Sequence, residues 1–386
     1  MTTTQSSANG QPKIRYAVVG LGWFAQAAAL PAFAHAENSE IVALVSDDST
    51  KLEQLSQKYT SVQRTFSYAE YDNCLHSGLV DAVYIALPNH MHREYTVRAA
   101  EAKVHVLCEK PMAVTEDECQ QMIAACDRNG VKLMIAYRLH FEAANMEAIE
   151  VLKSGQIGEP RVFTSMFSQQ VEASNIRVEK AVGGGTLDDI GIYCINAARY
   201  LFQAEPSEVF ATSASNNEPR FQEVAEMTSA ILRFPGDAAK DSKAERLATF
   251  TVSFGAAKIS TFQVLGTKGD FQVKPAYASS GEIKHYLTIE GETQERSFSG
   301  RDQLAAEFVY FSDCILENKQ PEPSGQEGLI DVRIIRALDR SIATGQFVQL
   351  EPLRRDQYPD ANQAIERPPL EQAPELIRVA DPSGKS

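Results

Sequence analysis

Residues 14–25 read IRYAVVGLGWFA, and this segment sets the architecture of the chain. The apolar run that ends at Gly20 predicts a buried β-strand, and a helical segment follows it to about residue 36. Gly20, Gly22 and Ala25 have the spacing G-x-G-x-x-A. Between a strand and a helix, such glycines permit a tight turn and let backbone N–H groups approach a pyrophosphate. The segment therefore predicts a dinucleotide-binding turn, with a plain glycine turn as the alternative.

Strands and helices continue to alternate after this turn. Apolar runs predict strands at 41–46, 82–88, 105–111 and 132–138, with helices between them. The helix before the last of these strands opens with a capping box at Thr115–Glu118. Strands that are separated by helices and buried on both faces form a parallel, doubly wound sheet. The first third of the chain is therefore predicted to be an α/β domain of the Rossmann type.

The second half of the chain has a different pattern. Strands such as VFTSMFS (162–168), MTSAILRF (227–234) and ATFTVSF (248–254) follow one another with short polar turns. This pattern predicts an α+β domain with a mostly antiparallel, open sheet. Helices near 303–317 and 330–343 close this half. Because such a sheet commonly buries its open face against a second copy, we expect a homodimer or homotetramer through it.

Four segments follow from these patterns. After Leu353 the chain is rich in Pro, Asp and Gln and poor in large apolar residues. We expect a flexible N-terminus at residues 1–12 and a dinucleotide-binding Rossmann domain at 13–137. An α+β domain for substrate binding and oligomerisation is expected at 138–353, and an extended or disordered tail at 354–386.

The composition narrows the classes of function. A formal net charge of −14 over 386 residues repels phosphate backbones and anionic lipid, so we expect neither nucleic acid nor a membrane as partner. The six cysteines include no C-x-x-C pair and no His at zinc-finger spacing, so we expect buried free thiols and no metal. No signal segment and no run of 18 apolar residues occur, which favours a soluble, cytoplasmic protein.

The end of the second strand bears on the choice of nucleotide. An acidic side chain there accepts hydrogen bonds from a ribose 2′-hydroxyl and repels a 2′-phosphate. Ser46 can donate to a phosphate, and Lys51, one turn into the next helix, can reach the same position. If the Asp47 carboxylate turns inward, it opposes binding of a 2′-phosphate. Asp47 and Asp48 can instead be turn and N-cap residues. The pattern favours NADP over NAD.

Candidate catalytic residues lie in both halves. Lys110 follows the fourth strand, and ligands of doubly wound sheets bind outside the carboxyl ends of the strands. In the second half, Asp189 and Tyr193 are four residues apart and share one face of a predicted helix. Alternatives remain for each, because Lys110 can be a solvated charge paired with Glu109, and Tyr193 can be a core residue.

Six motifs carry a resemblance to a known family. They are GLGWFA (20–25), ALPNHMH (86–92), CEKPM (108–112), AYRLH (136–140), GGGTLDDIGIY (183–193) and QEGLIDVR (326–333). In this order they resemble the glucose-fructose oxidoreductase/inositol dehydrogenase (Gfo/Idh/MocA) family over about residues 13–350. The resemblance implies a nicotinamide-dependent oxidoreductase that acts on sugars.

The family pattern assigns roles to residues of this chain. It implies Lys110 and Tyr193 as the catalytic pair and Asp189 as the carboxylate that orients substrate. An ammonium about 4 Å from a phenolate stabilises it by about 4 kcal/mol at an effective dielectric constant of about 20, so Lys110 can support Tyr193 as a general base. The family's Trp- and Arg-rich segment is replaced by residues 175–180, and we expect Arg177 to contact a sugar hydroxyl there. We expect Trp23 and Phe24 to lie over the pyrophosphate and ribose, although Trp23 can instead be a packing residue. The other implied cofactor residues are Gly20, Gly22, Ser46, Lys51, Pro88, Asn89, His92, Glu109, Lys110 and Arg138.

The region 46–51, and a Tyr at 193 where inositol dehydrogenases carry His, resemble most the family members that hold NADP tightly. For these members the reaction is a ping-pong exchange, in which glucose is oxidised to gluconolactone and fructose is then reduced to sorbitol. Two alternatives stay open. One is a dehydrogenase with exchangeable NADP that acts on glucose, xylose or anhydrofructose, and the other is a non-catalytic NADP sensor.

Overall fold

A computed structural model describes residues 12–236, 244–351, 353, 355, 357–371 and 373–384. The N-terminal segment predicted to be flexible, residues 1–12, lies outside the described residues apart from Pro12. The α/β class predicted from the sequence is confirmed, because a parallel sheet is followed by a mostly antiparallel one.

The first sheet has six parallel strands in the order β3-β2-β1-β4-β5-β6. Its strands are β1 Ile14–Val19, β2 Ser39–Val45, β3 Arg64–Phe66, β4 Ala82–Ile85, β5 His105–Glu109 and β6 Leu133–Ala136. The helices of this part are α1 Leu30–Ala32, α2 Ser49–Lys58, α3 Tyr71–Leu75, α4 His92–Glu101 and α5 Glu116–Asn129. The capping box at Thr115 and Glu118 is present at the start of α5, and Gly130 ends that helix with a φ of 67°.

The second sheet has nine strands in the order β14-β13-β12-β11-β7-β10-β9-β8-β15, and only the β7–β10 pair is parallel. The strands are β7 Pro160–Ser168, β8 Glu208–Ala214, β9 Met227–Phe234, β10 Arg246–Ser253, β11 Ile259–Gly266, β12 Gly269–Lys274, β13 Ile283–Ile289, β14 Glu292–Phe298 and β15 Val348–Gln349. The later helices are α6 Ala143–Lys153, α7 Ile192–Phe202, α8 Gln303–Leu316 and α9 Gly325–Thr344.

The two faces of this sheet differ. Along β9, buried side chains alternate with more exposed ones, the pattern of a sheet packed on one side. Helices α7 and α9 cover the inner face. The other face leaves Met166 and Leu247 each 44% exposed. Pairing of two copies through this face stays a prediction.

Helix α8 belongs in space to the first sheet, although it follows the second one along the chain. The hydroxyls of Tyr16 on β1 and Ser312 on α8 are 2.8 Å apart and hydrogen-bonded. The Asn38 side chain donates to the Val309 carbonyl at 2.9 Å, and the rings of Tyr16 and Phe308 pack edge to face at 5.5 Å. After the second sheet the chain therefore returns to the first domain, where α8 packs against β1.

A buried network of charges joins α7, α9 and the C-terminal segment. The Arg199 guanidinium, with no exposed surface, lies 2.9 Å from Glu327, 2.6 Å from Asp331 and 2.5 Å from Glu205. Arg355 also lies 2.7 Å from the Glu327 carboxylate. Burial disfavours the charged form of Glu327, but Arg199 and Arg355 outweigh burial and lower the pKa of Glu327 to about 2.

Removal of Arg199 should leave buried negative charge without its cation. Arg199→Met should lower the free energy of unfolding by about 3–5 kcal/mol, because three acidic groups lose their shared cation inside the protein. Arg161→Met, which breaks an exposed pair with Glu159, should change it by about 1 kcal/mol or less. Urea denaturation of both variants measures the difference, and equal losses would contradict this account of the network.

Candidate active site

The turn after β1 has the geometry that a dinucleotide requires. Gly20 has a φ of +95°, and a Cβ there would lie 2.5 Å from the Ala86 carbonyl oxygen, so only glycine fits. A Cβ on Gly22 would meet nothing within 4 Å, which leaves its backbone open to a ligand. The following helix begins with a π turn over Ala25–Ala29. The cradle fits the pyrophosphate of a nicotinamide dinucleotide.

Both aspartates after β2 act as backbone caps. Asp48 is the N-cap of α2 and accepts from the Lys51 backbone N–H at 3.1 Å. Asp47 accepts from the Tyr68 N–H at 2.8 Å. Ser46 is buried beside them, and its hydroxyl accepts from the Asp48 N–H at 3.2 Å. The structure therefore favours the turn and N-cap alternative, and it places Ser46 and Lys51 at the same edge of the sheet.

The loop after β4 connects the two domains at the cleft by a hydrogen bond. Pro88 precedes the 3₁₀ turn Asn89–Met91, and the Asn89 side chain donates to the Gly183 carbonyl of the second domain at 2.8 Å. His92 is completely buried, and its ring nitrogens lie 2.9 Å from the Pro111 carbonyl and 2.8 Å from the Leu87 carbonyl. Burial lowers the pKa of His92. This ring joins two backbone segments beneath the cleft, and no part of it is exposed to a cofactor.

The two aromatic residues of the phosphate turn are both half-buried. Phe24 packs against the core around β1, whereas Trp23 is not among the residues of that core. Trp23 is therefore the freer of the two to cover a bound nucleotide, and its contact with one stays a prediction.

Four residues predicted to act on substrate form one cluster. The Lys110 ammonium donates to the Asp189 backbone carbonyl at 2.7 Å and lies 3.4 Å from its carboxylate. Arg177 binds the other carboxylate oxygen at 2.9 Å. The Lys110 ammonium also faces the Tyr193 ring, 4.8 Å from its centre. Burial opposes ionisation of Asp189, but Arg177 and Lys110 together lower its pKa below the ordinary value.

The hydroxyl of Tyr193 contacts a different cation from the one that faces its ring. Arg138 donates to it at 3.4 Å, and the guanidinium lies 5.2 Å from the ring centre. Sequence reasoning placed Arg138 with the cofactor and gave the support of Tyr193 to Lys110 alone. In the structure Arg138 contacts the Tyr193 hydroxyl, and Lys110 contacts the Tyr193 ring. Arg138 is fixed in turn by the Tyr277 carbonyl at 2.8 Å and by the side chain of Gln303.

The glycine turn before α7 aims Asp189 at the cleft. A Cβ on Gly184 would lie 2.6 Å from the carbonyl oxygens of Ile176 and Arg177, so the loop that carries Arg177 packs directly on this turn. The next residues form a π turn over Leu187–Gly191, a geometry that is frequent at functional sites. Asp188 points the other way and pairs with Arg336. Burial raises the pKa of Asp188 to about 7.

A pair of acidic residues lies behind Lys110. Glu109 accepts from the Tyr84 hydroxyl at 2.6 Å and from the Lys110 N–H at 3.2 Å. Burial raises the pKa of Glu109, and the hydrogen bond from Tyr84 and the charge of Lys110 only partly offset this. Glu307 on α8 is fully buried, and burial and Glu109 both raise its pKa. Glu109 therefore supports the backbone beneath the cleft.

Sequence reasoning missed several residues of the site. Gln169 donates to the Asp189 carboxylate at 3.3 Å, and Gln303 holds Arg138. Arg378 donates to the Asp48 carboxylate and to the Thr50 hydroxyl, both at 3.2 Å, from the tail predicted to be extended or disordered. Of these three residues, only Gln169 could have been found from the sequence, because a polar residue directly after a predicted strand is a candidate for a site at the strand end.

Within the described ranges, no group of three or more His, Cys, Asp and Glu side chains could hold a metal ion. No helix in that part of the chain is long and apolar enough to cross a membrane.

Comparisons with known proteins identify the family of the chain. Residues 14–137 match the model of the GFO/IDH/MocA oxidoreductase family with an NAD-binding Rossmann fold, and residues 146–272 match the GFO/IDH/MocA C-terminal domain.

Individual relatives cover most of the chain. A D-xylose 1-dehydrogenase [NADP(+)] of Haloarcula marismortui is 34% identical over 88% of this chain and 93% of its own length. The crystal structure of an aldose-aldose oxidoreductase from Caulobacter crescentus, complexed with glycerol, has 35% identity and a TM-score of 0.81 over 88% of this chain and 100% of that one. A 3-ketoreductase from Actinomadura kijaniata, at 23% identity and a TM-score of 0.76 over 85% of this chain and 98% of its own, shares the fold. The chain therefore belongs to the Gfo/Idh/MocA family and is a nicotinamide-dependent oxidoreductase, as its motifs predicted.

Proposed function

We propose that this enzyme is an NADP(H)-dependent sugar oxidoreductase that oxidises an aldose at C1 and passes the hydride on to a second sugar. The observation that carries the proposal is the cluster of Lys110, Asp189, Arg177 and Tyr193 at the carboxyl end of β5, on the side of the sheet where the phosphate turn lies. Such a cluster presents a base, a carboxylate and cations to one hydroxyl-bearing carbon.

The nucleotide is held by the loops at the ends of the strands. Gly20 and Gly22 would cradle the pyrophosphate, Ser46 and Lys51 would meet a 2′-phosphate, and Pro88 would line the same cleft. When bound, the nicotinamide would supply the acceptor and donor of hydride for the sugar carbon.

The protein residues handle the proton and the position of the sugar. In the oxidation, Tyr193 takes the proton of the C1 hydroxyl, and the positive charges of Lys110 and Arg138 stabilise the phenolate that accepts it. Asp189, which stays ionised beside Arg177, accepts a hydrogen bond from a neighbouring sugar hydroxyl. In the reduction, Tyr193 returns the proton to the carbonyl oxygen of the acceptor.

The choice of sugars rests on two relatives and on the family resemblance. An aldose as donor agrees with the names of the two relatives, one a D-xylose 1-dehydrogenase and the other an aldose-aldose oxidoreductase. Our specific proposal is a ping-pong exchange, in which glucose gives gluconolactone and fructose gives sorbitol while NADP stays bound. The second candidate is a dehydrogenase with exchangeable NADP, which the name of the Haloarcula relative favours. The cluster around Tyr193 argues against a non-catalytic sensor.

A two-sugar assay separates the two candidates. The purified protein, supplied with glucose and fructose and no added nucleotide, should form gluconolactone and sorbitol, and the initial rates should give parallel double-reciprocal lines. Xylose in place of glucose tests the width of the donor site. A strict need for free NADP in every turnover would remove the exchange proposal and leave the dehydrogenase.

The role of Tyr193 can be tested against a matched neighbour. Tyr193→Phe should abolish turnover and leave NADPH binding unchanged, since only the proton-transferring hydroxyl is removed. Tyr277→Phe is the control, because its ring lies 5.8 Å from that of Tyr193 and its hydroxyl bonds only within the protein, to Ser165 at 2.7 Å. Steady-state rates and NADPH fluorescence titration measure both effects. Equal activity of the two variants would move the base to another residue.

The role of Lys51 can be tested on binding alone. Lys51→Ala should weaken NADP by about 1.5–3 kcal/mol, the range for a hydrogen bond to a charged group, and should leave NAD nearly unaffected. Isothermal titration with each nucleotide gives the comparison. If both nucleotides weaken by the same factor, Lys51 does not contact the 2′-phosphate.

A further inference from the structure

The C-terminal segment 375–384 crosses from the first domain to the second beside the cofactor cleft. At its start, the Lys58 ammonium of α2 donates to the Glu375 carbonyl at 3.2 Å. At its end, the Glu172 N–H in the loop after β7 donates to the Pro382 carbonyl at 2.9 Å. One short piece of chain is therefore attached to both walls of the cleft.

The segment is fastened to the helix of the phosphate turn. Gln26, only 2% exposed, donates to the Ile377 carbonyl at 3.1 Å and accepts from the Ile377 N–H at 2.7 Å. The Ile377 side chain packs against the core around β1. Because Gln26 lies four residues after Gly22, this double hydrogen bond ties the segment to the element that faces the pyrophosphate.

Arg378, the next residue, brings a cation to the end of β2. Its guanidinium bonds to Asp48 and Thr50, both at 3.2 Å, at the edge that also carries Ser46 and Lys51. The side chain is 62% exposed, so this pair is weak and its exchange for another anion costs little. A phosphate monoester is the better partner, since it offers the guanidinium the same two-oxygen geometry as a carboxylate and carries a larger negative charge, about −1.5 to −2 at pH 7.

The backbone at this point is held in an unusual conformation. Arg378 has a φ of +51°, in the left-handed region that side-chain-bearing residues adopt infrequently. The bonds between Gln26 and Ile377 immediately before it fix the chain there. From Arg378 to Pro382 the chain can span at most about 14 Å, which limits how far the segment can move from the cleft.

We propose that residues 375–384 form a strap over the adenosine half of bound NADP(H), and that Arg378 is a specificity-determining residue that binds the 2′-phosphate. On binding, the guanidinium exchanges Asp48 for the phosphate, and the strap slows dissociation of the nucleotide. The inference rests on the proposed function only for the identity of the cofactor. It adds the means by which NADP could stay bound between two sugars.

Two variants test the strap in the full enzyme. Arg378→Ala should weaken NADP binding by about 10- to 100-fold, the loss expected for a charge-assisted hydrogen bond, and should change NAD binding by less than about twofold. A chain that ends at Pro374 should show the same loss and should release NADPH at least about tenfold faster in a stopped-flow displacement experiment. Arg367→Ala is the matched control, since Arg367 lies in the same tail but pairs with Glu37.

The outcomes separate this inference from the proposed function. Equal weakening of NADP and NAD in Arg378→Ala, or an unchanged NADPH release rate in the shortened chain, overturns the strap. Arg378 is exposed, so its variant decides the question even if the shortened chain does not fold. Selective loss of NADP binding in an enzyme that oxidises no sugar would support the strap and remove the proposed sugar chemistry. Normal sugar turnover with unchanged nucleotide selectivity in Arg378→Ala would support the proposed sugar chemistry and overturn the strap.

Discussion

The strand order of the first sheet reverses at β1, because β2 and β4 lie on its two sides. The loops after β1 and β4 therefore leave the sheet in opposite directions and open a crevice at its carboxyl edge. Most proposed cofactor residues follow strand ends at this edge: Gly20 after β1, Ser46 after β2, Pro88 after β4, Lys110 after β5 and Arg138 after β6. A parallel sheet puts those ends on one side, so the site depends on the direction of the strands before it depends on any side chain.

Local signals in the sequence predicted much of this arrangement. The two glycines of the phosphate turn, the capping box at Thr115 and the change from alternating helices to consecutive strands each act within a few residues. The cluster of Lys110 and Asp189 was predictable only through the family resemblance, because 79 residues separate its members. Helix α8 shows the limit of this reasoning. Its apolar pattern predicts a helix, but the pattern does not say which sheet the helix covers.

The electrostatics of the site also depend on contacts that no local pattern records. Asp188 and Asp189 are adjacent and chemically identical, yet Asp188 faces the interior beside Arg336 and Asp189 faces the cleft between Lys110 and Arg177. The π turn that contains both residues sets which carboxylate points outward. Arg138 reaches the Tyr193 hydroxyl because the carbonyl of Tyr277 and the side chain of Gln303 fix its guanidinium from distant parts of the chain. Sequence reasoning could name these residue types, but the partners follow from packing.

The two ends of the cleft are built from different kinds of contact, and this difference bears on function. At the proposed sugar end, Lys110 and Asp189 are mostly buried and pair with each other. Buried, paired groups of this kind keep their geometry when ligands exchange. At the proposed adenosine end, Arg378 is exposed, and exchange of Asp48 for a phosphate would engage it. An enzyme that releases one sugar and admits another while keeping its nucleotide needs this asymmetry. The reacting groups must stay in place, and the retention of the nucleotide must depend on contacts that no sugar touches.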